Sequence, residues 1–234
     1  MKNVPDAVRT AVWEVPALID YRIVFEKTGK ARFISHLDLN RTMQRVIRRS
    51  GLPAWYTQGF HPHMYLMFAI ALSLGAESRC EVMDMRLTQE LPFDEVKNRL
   101  NAALPEGIHV VDVRKPVHGA VEMGSALYTV LLETENSDLL AAQWEGFLAQ
   151  EEIPYEKKTK HKTRQLNIRP MIQVEEMAAE DGMLRLMLRL PAGNEGNLNV
   201  TVVTGEFEKY AEQAFFVKQI MREKIFCQNG EEFF

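Results

Sequence analysis

Apolar and polar positions divide residues 21–114 into four predicted strands and two predicted helices. Alternation or a short apolar run predicts a strand, and apolar spacing near 3.6 residues predicts a helix. Strands are predicted at residues 21–26, extended by 31–34, and at 67–72, 80–87 and 108–114. Helices are predicted at residues 35–50 and 92–103. The order β-α-β-β-α-β is the ferredoxin-like order.

Residues 126–226 repeat this order more loosely. Strands are predicted at residues 126–133, 164–174 and 183–190, and a helix at 137–150. Residues 196–210 favour a helix against a strand-favouring run at 200–203, and residues 215–226 favour a strand or a terminal helix. We therefore predict an α+β fold of two tandem ferredoxin-like (βαββαβ) halves. The predicted divisions are an extension at 1–20, a half at 21–115 that carries the SHLD and GFHPH motifs, and a half at 125–234.

The first helix begins with a capping signal and carries an arginine-rich face. Ser35 is a favourable N-cap, and Asp38 completes a Ser-x-x-Asp variant of the capping box. Four arginines lie at relative positions 0, 4, 7 and 8, on one side of the helix: Arg41, Arg45, Arg48 and Arg49. The apolar residues Met43, Val46 and Ile47 are expected to be buried. A charged run is often only a solvated face, but the guanidinium fork suits phosphate.

A second group of side chains suits acid–base or metal chemistry. His36 and Asp38 lie in the first helical turn, and His61 and His63 flank Pro62 in the next loop. Imidazole and carboxylate groups serve as general acids and bases and as metal ligands. The ordinary alternative is a capping role for Asp38 and backbone hydrogen bonds for the histidines. We predict the four as catalytic candidates that converge near Asp38, and we assign them no metal.

A basic segment in the second half is a further candidate for nucleic-acid binding. Its predicted contacts are Lys157, Lys158, Lys160, Lys162 and Arg164. The alternative is a solvated hairpin tip. Contacts to RNA phosphates would release counterions and make binding depend on salt.

Composition limits the remaining possibilities. Apolar residues are 46% and charged residues 26% of the chain, as in folded proteins. The net charge of -4 means that RNA binding has to come from local patches. Cys80 and Cys227 have no zinc or iron–sulfur spacing and indicate a reducing compartment. The longest apolar-rich run, 64–74, is well below the roughly 20 residues of a membrane helix. We expect a cytoplasmic protein with no cofactor and no membrane contact.

An ordered string of motifs resembles the radical-SAM-linked protein family. The matching segments are FISHLDL at 33–39, Arg41, RVIRRSGLP at 45–53, GFHPH at 59–63, LGAES at 74–78, Glu81 and Asp84. Members of this bacterial family stand alone or are fused behind a radical S-adenosylmethionine (SAM) enzyme domain. The resemblance implies fold kinship and an association with radical-SAM chemistry on RNA. After His63 the family carries Pro, a basic residue and Ser, whereas this chain has Met-Tyr-Leu-Met at 64–67.

Three functional hypotheses follow from these features. The first is an RNA-binding accessory module that works with a radical SAM partner in RNA modification or processing. The chain lacks the three-cysteine cluster motif, so the partner would have to hold the iron–sulfur cluster. The second is a metal-assisted or acid–base hydrolase that uses the four catalytic candidates. The third is a protein–protein adaptor.

Overall fold

A computed structural model describes residues 18–158, 163–193 and 196–234 of the chain. Across these residues, a large mixed sheet packs with four α-helices in an α+β fold. The strands are β1 Ile19–Lys27, β2 Leu66–Phe68, β3 Glu77–Leu87, β4 Ile108–Arg114, β5 Met123–Thr134, β6 Pro154–Lys158, β7 Thr163–Asn167, β8 Gln173–Glu180, β9 Met183–Pro191 and β10 Phe215–Cys227. The helices are α1 His36–Arg49, α2 Phe93–Ala103, α3 Ser137–Leu148 and α4 Val200–Tyr210.

The main sheet has eight strands, of which seven follow the order β4-β1-β3-β10-β5-β9-β8, while β2 pairs with β3 beside this path. The strands up to β4 thus lie as β4-β1-β3-β2, and those from β5 lie as β10-β5-β9-β8. Pairing within each group is antiparallel. The two groups meet where β3 and β10 run parallel, with Glu77 opposite Met221 and Ser78 opposite Arg222. β6 and β7 form a separate two-stranded sheet.

Most predicted elements are confirmed, but residues 31–34 do not extend β1. Residues 31–33 belong to a 3₁₀ turn at Gly29–Phe33, and Ile34 is its C-cap. Gly29 has a φ of 57°, a left-handed conformation that glycine adopts without strain. Its N–H donates to the Glu77 carboxylate at 2.6 Å, which fixes the turn against β3.

The predicted strand at 67–72 is also wrong in length, since only Leu66–Phe68 pairs with β3. Further along the same edge of β3, Glu77 and Ser78 pair with β10 instead. Leu72 leaves the sheet and packs into a hydrophobic core instead. Pairing that distant residues decide is not visible in a local pattern.

The predicted strand at 164–174 divides into two strands with different partners. β7 pairs with β6, and β8 pairs with β9 in the main sheet. A 3₁₀ turn at Arg169–Met171 separates them and contains Pro170, which has no N–H to donate to a ladder. The sequence pattern leaves two segments open between helix and strand. Residues Val200–Tyr210 form the helix α4, and residues Phe215–Cys227 form the strand β10.

Two hydrophobic cores share β3. Met83 and Met85 pack into the first core, under α1 and α2. Cys80 and Val82, whose side chains alternate with these along the strand, pack into the second. That second core includes a cluster of aromatic residues on α3 and α4: Trp144, Phe147 and Phe207. β3 is therefore buried on both faces.

A buried ion pair lies where β3 meets β10. The Arg222 guanidinium donates to the Glu81 carboxylate, and the two residues are 0% and 1% exposed. Burial has the largest single effect on the pKa of Arg222 and acts to lower it, but the combined effect of Glu81, Tyr128 and Cys80 outweighs burial, so this pKa stands above its ordinary value. Burial lowers the pKa of the neighbouring Lys27, an effect that the Glu81 charge opposes and the Arg222 charge reinforces. The negative charge of Glu81 therefore acts on both neighbouring buried cations.

We expect Arg222→Met to lower the free energy of unfolding by about 3–5 kcal/mol, because it leaves the Glu81 carboxylate buried without its guanidinium partner. The measurement is urea denaturation of the full chain. A matched control is Lys218→Met, which breaks an exposed pair with Glu133 and should change stability by less than about 1 kcal/mol. Equal small losses in both variants would contradict the importance assigned to the buried pair.

Candidate nucleic-acid interface

Helix α1 begins at the capping signal predicted from the sequence. The Ser35 hydroxyl accepts a hydrogen bond from the Asp38 N–H at 3.2 Å and donates one to the Asp38 carboxylate at 2.8 Å. These bonds fix the first turn, so the angular positions of the residues that follow are set. The helix ends at Arg49, before the C-cap Ser50.

The predicted division of α1 into a charged and a buried face is confirmed. Met43, Val46 and Ile47 are completely buried in the first core. The four arginines of the opposite face are exposed: Arg41, Arg45, Arg48 and Arg49. The segment therefore presents guanidinium groups to solvent along one side of the helix.

The arginines differ in the partners that orient them. Arg41 pairs with Asp38 at 3.1 Å, the Arg48 Nε–H donates to the Tyr56 hydroxyl at 3.3 Å, and Arg49 donates to the Ala103 carbonyl at 2.7 Å. Arg45 makes no hydrogen bond or ion pair within the part of the chain that the structure describes. Among the described residues, Asp38 is thus the one carboxylate paired with an arginine of this face.

Exposed aromatic rings lie in the segments before and after α1, and one of them contacts the arginine face, which the local sequence pattern did not predict. Phe33, two residues before the N-cap of α1, is 63% exposed and lies under the Arg32 guanidinium. Tyr56, which contacts Arg48, is 39% exposed. Phe60, in the loop between Tyr56 and Met64, is fully exposed. Exposed rings beside cations are suited to stacking on unpaired bases. The position of Tyr56 beside Arg48 depends on the tertiary structure, so it could not be predicted from the sequence pattern.

The predicted catalytic histidines have separate contacts in the structure. The His36 ring lies edge-on against Phe68, with ring centroids 5.3 Å apart. His63 Nδ1 is 2.9 Å from the Thr57 hydroxyl and 3.2 Å from the His61 carbonyl oxygen. His61 and His63 are exposed on the loop. These contacts match the ordinary alternative of local structural roles, and catalysis by these residues stays a prediction.

Asp38 is engaged by its own helix. The hydrogen bond from Ser35, reinforced by Arg41, lowers the pKa of its carboxyl group, so the group is a stable anion at neutral pH. Within residues 18–158, 163–193 and 196–234, no three His, Cys, Asp or Glu side chains are placed to share a metal ion. The geometry therefore favours a capping role for Asp38 beside the exposed arginine face.

The basic segment of the second half is the β6–β7 hairpin. Lys157 lies directly opposite Arg164, and both are exposed. Lys158 ends β6, while the predicted residues Lys160 and Lys162 lie outside the described residues. Arg169 has a structural role, since its guanidinium donates to the Leu148 and Ile172 carbonyls.

Fold and surface together define an α+β protein with an arginine-rich helix, and the chain belongs to the family described as "Uncharacterized protein conserved in bacteria (DUF2344)", whose profile matches residues 20–200. Comparison with curated proteins gives no match. Among solved structures, the chain is similar to one in "Crystal Structure of a Cbf5-Nop10-Gar1 Complex", with 11% identity and a TM-score of 0.46. The likeness covers 88% of this chain and 48% of that one, so this chain spans about half its length. None of the helices described here is both long and apolar enough to cross a membrane.

We expect both cysteine thiols to resist modification in the native protein. Burial raises the pKa of Cys80 to about 12 and also raises the pKa of Cys227, so little reactive thiolate is present at pH 8. The measurement is the rate of reaction with a chromogenic disulfide at pH 8. Unfolding in urea should release both thiols rapidly, and rapid native reaction of either one would contradict the expectation.

Proposed function

We propose that this protein is an RNA-binding module that works beside a radical SAM enzyme in RNA modification or processing. The observation that carries the RNA-binding part is the exposed arginine face of α1. Its arginines run from Arg41 to Arg49, about 12 Å at 1.5 Å per residue. A face of this length can contact more than one phosphate of a strand.

The character of the charges supports phosphate as the ligand. Arginine binds phosphate oxygens through paired N–H donors, and three of these side chains project from successive turns: Arg41, Arg45 and Arg48. The rings of Phe33 and Tyr56 are available for bases that leave a stack. RNA with unpaired bases is therefore a better match than a duplex, whose bases remain stacked inside.

The strand order supports a further proposal, that the chain consists of two tandem ferredoxin-like halves. Both β4-β1-β3-β2 and β10-β5-β9-β8 place the first and third strands of a βαββαβ unit at the centre. In this arrangement, α1 and the β6–β7 hairpin each belong to one half. The two basic segments then become two contact sites for one RNA.

The proposal of a radical SAM partner rests on the motif resemblance at residues 21–114. It is chemically consistent with the thiols of this chain, because Cys80 and Cys227 are both buried and cannot supply an exposed three-cysteine cluster site. The same unpaired thiols support a cytoplasmic location. The module would bind the RNA, and the partner would perform the radical reaction.

Replacing Arg41, Arg45 and Arg48 together by Gln should weaken binding of single-stranded RNA by more than about tenfold at low salt. The log–log slope of affinity against salt should flatten by about two units, since each single-strand phosphate contact contributes roughly 0.7. The measurement is fluorescence anisotropy at several salt concentrations. Gln preserves helix propensity, so α1 should remain folded.

The matched control replaces three other surface cations by Gln, with the same change in net charge: Arg79, Arg185 and Lys218. This variant should keep most of the RNA affinity. Equal losses of RNA affinity in both variants would mean that overall charge, and not the arginine face of α1, determines binding. Weak binding by the wild type with no salt slope would favour the adaptor hypothesis, and turnover by the purified chain alone would favour the enzyme.

Asp38→Asn should strengthen RNA binding about two- to fivefold at low salt, because it removes the one carboxylate paired with Arg41. The gain should disappear at high salt as exposed charges are screened. Asp138→Asn is the control, since it removes an exposed first-turn carboxylate from α3. A gain in the control and not in Asp38→Asn would contradict the proposed location of the RNA.

A further inference from the structure

A cavity of about 400 Å³ opens between the loop that follows β2 and the β6–β7 hairpin. Its volume lies within the range of small-molecule sites. Part of its lining is apolar and buried, including Leu72, Ile168 and Leu198. The loop belongs to the first group of strands and the hairpin to the second, so the cavity spans their junction. It is distinct from the arginine face of α1.

Aromatic and amide groups also line the cavity. Tyr128 of β5 and Tyr155 of β6 contribute rings. The Asn199 side-chain oxygen accepts from the Ser73 hydroxyl at 2.9 Å and from the Thr201 N–H at 3.0 Å. Its amide N–H₂ makes no hydrogen bond to any described residue, and Asn197 adds a second amide to the lining. Rings beside amide groups are the means by which proteins hold a single base and read its edge.

One cation lines this cavity, and a second lies next to it on the hairpin. Lys157 lines it, and Arg164 is the cross-strand neighbour of Lys157. Directly opposed residues share one face of a hairpin, where like charges repel. Neither side chain forms an ion pair with a carboxylate in the described part of the chain. An anion such as phosphate would relieve this repulsion.

We propose that the cavity binds one nucleotide, with the base against Tyr128 and Tyr155 and the phosphate held by Lys157 and Arg164. Asn197 and Asn199 would contact the edge of the base. The nucleotide comes either from solution or from an RNA strand. The RNA source rests on the proposed function, whereas the free nucleotide does not.

The first test is calorimetric titration of the full chain with AMP, UMP, adenosine and ribose 5-phosphate. AMP or UMP should bind more tightly than either fragment. The double variant Lys157→Glu with Arg164→Glu should weaken nucleotide binding by more than about tenfold and leave adenosine binding unchanged. It exchanges one like-charged pair for another, so hairpin stability should be preserved, and a thermal melt checks this. Lys30→Glu with Lys115→Glu is the charge-matched control and should have no effect.

The second test identifies the source of the nucleotide. RNA substituted with 4-thiouridine is photocrosslinked to the protein, and the modified peptide is mapped by mass spectrometry. Crosslinks at Tyr155 assign the cavity to a nucleotide of the RNA strand. Mononucleotide binding without such crosslinks assigns it to a free nucleotide. Both results support a nucleotide site.

The failure of this inference can be told apart from the failure of the proposed function. RNA binding that requires the α1 arginines, with neither mononucleotide binding nor crosslinks at the cavity, overturns the nucleotide site alone. Mononucleotide binding by a protein without RNA affinity overturns the RNA proposal alone. Nucleotide affinity that survives Lys157→Glu with Arg164→Glu also overturns the assignment.

Discussion

The pair formed by Glu81 and Arg222 is the interaction on which the joined sheet depends. Only two residue pairs define the parallel register between β3 and β10, so backbone pairing alone is a short connection. The Glu81 carboxylate and the Arg222 guanidinium are buried together at this point. A shift of β3 relative to β10 would separate them, and each group would lose the partner that offsets its desolvation. The ion pair therefore couples the two hydrophobic cores that share β3. A polar contact fixes an alignment that non-directional apolar packing would leave less defined.

Local sequence patterns predicted elements whose determinants are local. The helix α1 was predictable because the Ser35 cap and the apolar residues Met43, Val46 and Ile47 all lie within one segment. The errors arose where distant residues decide the structure. β2 pairs with β3 over three residues only and β10 joins the same edge of β3 further along, while β7 separates from β8 because its partner is β6. No periodicity within 67–72 or 164–174 carries that information.

The same distinction applies to the candidate sites. The exposure of the α1 arginines follows from helical spacing, so it could be predicted. The contact between Tyr56 and Arg48 could not be predicted, because it forms only when the chain after α1 folds back against the helix. The junction cavity has lining residues from 70 to 202 and has no counterpart in any motif. His36, His61 and His63 are close together in sequence, but each has its own neighbours in the structure. Closeness in sequence does not determine the directions of their rings.

The central place of β10 has a consequence for how the chain folds during synthesis. Glu81 and Arg222 are separated by 141 positions. The strand β10 is therefore synthesised long after β3, and β3 cannot pair with it until then. Until then, part of one edge of β3 is unpaired, and an open apolar edge is a template for association with other chains. The charged residues Glu77, Arg79 and Glu81 lie along this segment. Charged side chains discourage such pairing, so the residues that later join the sheet also protect the nascent chain from aggregation.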